Sequence, residues 1–171
     1  YNWYDINYVD FTREWWSESL VDELTINGKM YLLAGDIALS LWQSMQGIFF
    51  NKTEAEENDL GDLYQLVYDG EWTFDKMTEM SKSSARNTGD EAWTDEDFHG
   101  YVTARTVQVD VYLDAFDIPV TKKSNDGYPE YTVNCEKTYN TLEMLYNFIC
   151  TPGTGAYYGN FTSATESLLV F

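Results

Sequence analysis

The sequence predicts an α/β fold. Apolar residues recur at helical spacing in several segments, among them Phe74 to Ser84 and Cys135 to Cys150. Short apolar runs of strand length stand between such segments. Turn signals, Asn27-Gly28, Asp69-Gly70 and Asn125-Asp126-Gly127, separate the two kinds of run. Helices interspersed with short strands bury their apolar faces most readily by packing on a sheet.

Each element has a local reason. Tyr1 to Asp10 is aromatic and irregular. Asp10 to Leu24 has helical features around Trp15, Trp16, Leu20 and Leu24, with Asp10 or Thr12 able to accept from the first free amides. Asn27-Gly28 tolerates two left-handed residues, so Leu24-Thr25-Ile26 and Met30 to Ala34 are expected to pair as a hairpin. Gly47-Ile48-Phe49-Phe50 reads as a short buried strand, and a polar, acidic segment follows from Asn51 to Asp62. Leu63 to Val67 is a short helix ended by Gly70, and Thr73 caps the next one, with Asp75 in its first turn. Phe74, Met77, Met80 and Ser84 share the inner face of that helix. Arg86 to His99 is a polar, acidic loop.

From Thr106 to Asp117 two signals disagree. Val107, Val109, Val111 and Leu113 alternate with polar residues or Tyr112, which is strand periodicity, whereas segment length favours a helix; helix is the expectation. Ile118-Pro119-Val120 and Tyr128 to Val133 are expected as edge strands around the Asn125-Asp126-Gly127 turn, because proline fits only edge positions. Cys135 to Cys150 is helical, placing the two cysteines about 20 Å apart, too far for a disulfide. Both are expected as buried thiols. Thr151 to Gly159 reads as a Pro/Gly loop. Ser167 to Phe171 reads as the start of a buried strand, so the chain is expected to be a fragment of a longer polypeptide.

Composition narrows the function. The 171 residues carry 29 acidic and 10 basic side chains, a net charge of -19. So acidic a surface repels phosphate backbones and anionic lipid, which argues against nucleic-acid or membrane-surface partners. No apolar run is long enough to span a membrane. Aromatic residues make up 17% of the chain, more than a small core needs, so some are expected at a surface or cleft.

Catalytic signatures are weak. The single histidine, His99, lacks a nucleophile motif around it and reads as a loop residue. Asp95, Asp97, His99 and Gly100 imitate a calcium loop, but Thr106 stands where the bidentate glutamate belongs, so a solvated loop is preferred. The many carboxylates allow a glycosidase pair without singling one out. No cofactor or metal is expected.

Several segments, in order, resemble the extracellular solute-binding proteins of bacterial ABC sugar importers, of the maltose-binding type and its lipoprotein relatives. They are Trp15-Trp16 followed by Ile26-Asn27-Gly28-Lys29-Met30-Tyr31, then Gly35-Asp36, then Gly47-Ile48-Phe49-Phe50-Asn51-Lys52. Gly70-Glu71-Trp72-Thr73, Asp97-Phe98-His99-Gly100-Tyr101 and Asn160 to Phe171 follow, the last with Ala164 or Thr165 where the family usually has glycine. The resemblance implies a periplasmic-binding-protein-like lobe, a short mixed sheet flanked by helices. Residues 1–34 would end the first lobe and cross over, and residues 35–171 would form an incomplete second lobe. It further implies non-catalytic binding of a sugar or oligosaccharide between two closing lobes, delivery to ABC permease subunits, and an extracellular or periplasmic location, with any membrane attachment through a lipid anchor outside this chain.

By the same resemblance Asp36 lies near the inter-lobe cleft and accepts hydroxyl protons, or else is a solvated turn residue. Arg105 and Gln108 fall where the second lobe faces the cleft, with a surface salt bridge the alternative for Arg105. Trp15 and Trp16 line the cleft or pack against the hinge. Two other functions stay open: a fragment of a glycan-active hydrolase, and a surface glycan-adhesion module.

Overall fold

The computed structural model describes residues 1–89, 92–104 and 109–159. Among these residues the chain is mixed α/β, with small two-stranded sheets rather than one broad sheet. Contacts divide it into two compact units, one of residues 1–47 and 118–135, the other of residues 48–117 and 136–171. The expected boundary at 34/35 lies inside the first unit.

In the first unit a 3-10 turn, Trp3–Asp5, precedes helix α1, Glu18–Leu24. The helix starts later than its apolar spacing suggests. Asp10 turns its carboxylate onto the Thr12 amide at 3.0 Å and the Thr12 hydroxyl at 2.6 Å, closing a local turn that competes with helix. Ser17 caps instead, accepting from the Leu20 amide.

Strands β1, Thr25–Ile26, and β2, Lys29–Met30, form the hairpin, with Asn27 and Gly28 both left-handed at φ 48° and 71°. The pairing ends at Met30, not Ala34. Beside it the Met30 amide donates to Oδ1 of Asn2 at 2.9 Å. Met30 is fully buried. Helix α2 is short, Leu39–Gln43.

The second hairpin of this unit pairs β4, Thr121–Lys123, with β5, Pro129–Tyr131. Its first strand lies slightly later than expected, and Pro129 takes the first position of β5, where a missing donor costs least. The hairpin turns meet: the Asn27 amide donates to the Gly127 carbonyl at 3.4 Å, and the Asn27 side chain to the Tyr128 hydroxyl at 3.1 Å.

The second unit opens on Ile48, Phe49 and Phe50, which form no buried strand. They are exposed by 50%, 91% and 37%, and no strand pairs with them among the described residues. A run this short needs a neighbouring strand to satisfy its amides. Three capped helices follow. Asn51 starts α3, Lys52–Glu57, inside the segment expected to be merely polar. Asp62 starts α4, Leu63–Tyr68, and Gly70 ends it at φ 72°, its amide bonding to the Val67 carbonyl. Thr73 starts α5, Phe74–Ser84, whose buried residues are Met77, Met80, Ser81 and Ser84.

Strands β3, Tyr101–Ala104, and β6, Ala156–Gly159, run parallel. Parallel neighbours require a crossover. Here that connection contains α6, Val111–Ala115, and α7, Glu136–Ile149, with the β4-β5 hairpin inserted between them. Helix α6 settles the conflict of signals for residues 111–115 in favour of helix. Residues 156–159, expected as loop, form β6 instead, their tyrosines suiting a pleated strand. The segment Ser167 to Phe171 lies outside the described residues.

The core of this unit is Met77, Tyr112, Leu145, Phe148 and Ile149, with Phe74 and Tyr101 packed on it. Rings meet edge to face, Phe74 with Phe148 at 5.4 Å and with Phe116 at 5.5 Å. Tyr112 and Tyr101 share a hydroxyl-hydroxyl bond of 2.8 Å, and burial pushes the Tyr112 phenol far up. The expected buried thiols are both exposed. Cys135 and Cys150 sit just outside the two ends of α7, while Thr138, Thr141, Leu145, Phe148 and Ile149 carry its packed face.

Candidate functional site

The first unit brings three of the five expected ligand residues together. Gly35 is buried, with φ 133°, a conformation that side chains resist. A Cβ built there would lie 3.4 Å from the Trp16 ring and 3.8 Å from the Trp15 carbonyl oxygen. Gly35 therefore lies next to the Trp16 ring and the Trp15 main chain. The Ala38 amide donates to the Gly35 carbonyl at 2.8 Å and closes a turn that leaves Asp36 exposed.

The two tryptophans differ. Trp16 is half-buried and packs on Phe11 at 5.2 Å, which in turn meets Tyr4 at 5.3 Å. Trp15 is 51% exposed. The site thus offers an accessible indole and an accessible carboxylate on two segments held side by side. An aromatic face stacks on apolar C–H surface, and a carboxylate accepts two hydroxyl hydrogens. Arg105 and Gln108 lie outside the described residues.

The Asp95-to-Gly100 segment is not the solvated loop expected. Asp97 and His99 are buried. Asp97 accepts from the Thr88 amide at 2.8 Å, the Thr88 hydroxyl at 2.9 Å and the Thr94 amide at 2.7 Å. The two amide bonds hold its carboxyl below the usual range, assisted by the Thr88 hydroxyl and the nearby His99. Nε2 of His99 lies 2.7 Å from the Thr94 carbonyl, so that nitrogen carries the hydrogen. Its ring lies against Tyr157 at 4.9 Å. Among the described residues, no group of three or more His, Cys, Asp or Glu side chains is arranged to hold a metal.

The second unit also has an open apolar groove of about 430 Å³ along α7, lined by Val109, Leu142, Tyr146, Ile149 and Tyr158, with Glu143 its one charged residue among the described ones. Sequence reading missed it. The signal was present in Leu142, Tyr146 and Ile149, which share one side of the helix, but the same spacing also describes a core face. A smaller groove of about 300 Å³ lies at α4 and α5, with Asp62, Gln65, Asp69 and Lys76 on its walls. Neither groove contains Trp15, Trp16 or Asp36.

Comparison of the chain with family models, with curated proteins and with solved structures finds no match.

Proposed function

We propose that this chain belongs to an extracellular solute-binding protein that captures a sugar or oligosaccharide, unaltered, for uptake by an ABC importer. The observation that carries the reading is the Gly35–Ala38 turn seated on Trp15 and Trp16. It brings the segment that carries the exposed Asp36 carboxylate beside the segment that carries the two tryptophans. Sugars have a matching division, with C–H faces above and below a rim of hydroxyls. The ordered motifs from Trp15-Trp16 to Asn160-Phe161-Thr162 support the same reading.

In such a receptor the solute is held between two lobes and closure supplies the second half of the contacts. Delivery requires ABC permease subunits as partners, and the protein would work outside the cytoplasmic membrane, held there by a lipid anchor or free in a periplasm.

Isothermal calorimetry with maltose, maltotriose, cellobiose and xylobiose tests the proposal on both the 171-residue chain and the complete gene product. At least one sugar should bind the complete product, and Asp36→Asn should weaken it by about tenfold or more, the usual effect of losing a charged hydrogen-bond acceptor. The isolated chain should bind more weakly, because it offers fewer contacts against the same association entropy. Release of a shortened sugar on incubation would instead assign a hydrolase, and equal affinity of the two forms would remove the two-lobed account.

A further inference from the structure

We infer that Trp15 and Trp16 have separate tasks: Trp16 is a positioning residue that holds the Gly35–Ala38 turn and so aims Asp36, while Trp15 presents its ring to the solute. The ligand part of this inference rests on the proposed function; the support role of Trp16 stands on geometry alone.

The turn has little else to hold it. Its outward residues give no packing, since Asp36 is exposed and Ile37 is 67% exposed. Leu39, just beyond it, is 73% exposed. The intimate contact is Gly35 against the six-membered ring of Trp16, at 3.4 and 3.7 Å from its Cε3 and Cζ3 to a built Cβ. Gly35 is needed because its backbone sits at φ 133°, where a side chain is strained.

Trp16 is itself fixed from behind. It packs on Phe11, Phe11 packs on Tyr4, and the Tyr4 hydroxyl bonds to the Thr25 hydroxyl of β1 at 2.6 Å. A series of ring contacts thus leads from the β1-β2 hairpin to the turn that carries Asp36. Of Trp15, the atom nearest a Cβ built at Gly35 is the backbone carbonyl oxygen rather than the ring, and the residue is half in solvent. A half-buried, braced ring suits support; an accessible one suits stacking on a sugar.

The test uses an endoproteinase that cuts on the amino side of aspartate. Cleavage of the Gly35–Asp36 bond is measured against cleavage before Asp62 in the second unit. Trp16→Ala should raise the ratio about tenfold, by freeing the turn for local opening. Trp16→Phe should restore it, Trp15→Ala should leave it unchanged, and Gly35→Ala should raise it from the other side of the contact. Maltotriose binding by the complete protein gives the second readout: loss in Trp15→Ala and Trp16→Ala, retention in Trp16→Phe. An unchanged ratio in Trp16→Ala, or an equal rise in Trp15→Ala, overturns the division of tasks. If the cleavage pattern holds but none of the four sugars binds, the sugar-receptor reading falls and the support role of Trp16 survives.

Discussion

At the scale of single residues, two backbone contacts and one carboxylate dominate the second unit. A Cβ at Gly100 would stand 2.1 Å from the Ser81 carbonyl oxygen, and one at Gly155 would stand 2.2 Å from the same atom. Both strands of the parallel pair are therefore led in past the last turn of α5 by glycines that let backbone touch backbone. The obstacle is main chain, so a neighbour's rotamer cannot relieve it. Gly100→Ala should cost about 3 kcal/mol, the upper range for overpacking, read as a fall in the thermal midpoint, and adding Ser81→Ala should not restore it. Asp97 gives a pH-dependent prediction. Its native pKa is depressed by amide donors, so the native state binds its proton less readily than the unfolded chain does. The stabilisation is complete above the ordinary aspartate value near pH ~4 and is lost as pH falls through the lower native value. Urea midpoints of wild type and Asp97→Asn should differ at pH 6 and converge toward pH 3. A gap that widens with acid would mean Asp97 is not the group responsible.

At the scale of elements, the helices of the second unit are set by their ends. Asn51, Asp62 and Thr73 each accept from amides of the first turn, and Gly70 closes α4. Thr73→Ala leaves the Lys76 amide unpartnered and should cost about 1 kcal/mol. Gly70→Ala places a side chain at φ 72° and should cost about the same. The two sites are close in sequence but act on different helices, so the double variant should lose nearly the sum; chemical denaturation of the four proteins measures this. Arg86 ties α3 to the segment before β3: its guanidinium lies 3.9 Å from the Phe98 ring centre, with Glu54 and Asn58 each at 3.2 Å. The Thr73 cap and the Gly70 stop were legible in the sequence because each needs only its own few neighbours, whereas the caps at Asn51 and Asp62 passed as part of a polar, acidic segment. The end of β2 at Met30 was not legible, because Asn2, which takes the Met30 amide, lies 28 residues away.

At the scale of the whole chain, burial is unequal. In the first unit the buried apolar residues are Met30 and Ile118, whereas the second unit buries Ala55, Met77, Met80, Tyr112, Leu145, Phe148 and Ile149. Local stability follows packed apolar contact. Hydrogen exchange should therefore leave α5 and α7 protected longest, with β1, β2, β4 and β5 exchanging earlier; the reverse order would contradict this account of the core. The same inequality leaves Leu32, Ile37, Leu39, Trp42 and Met45 exposed in the first unit.

The sequence by itself determined the helix-rich α/β class, the caps at Thr73 and Gly70, the Asn27-Gly28 hairpin and the helix between the cysteines, because each depends on local spacing or on the conformational range of one or two residues. Only the tertiary structure decided that Ile48 to Phe50 finds no strand partner among the described residues, that Ala156 to Gly159 joins Tyr101 to Ala104 as a strand, that Asp97 and His99 are buried, and that Gly35 lies beside Trp16. Those outcomes depend on which distant segment comes to lie alongside. A strand needs a partner for its amides and a ring needs a surface to cover, and neither requirement is written in the spacing of the residues that carry it.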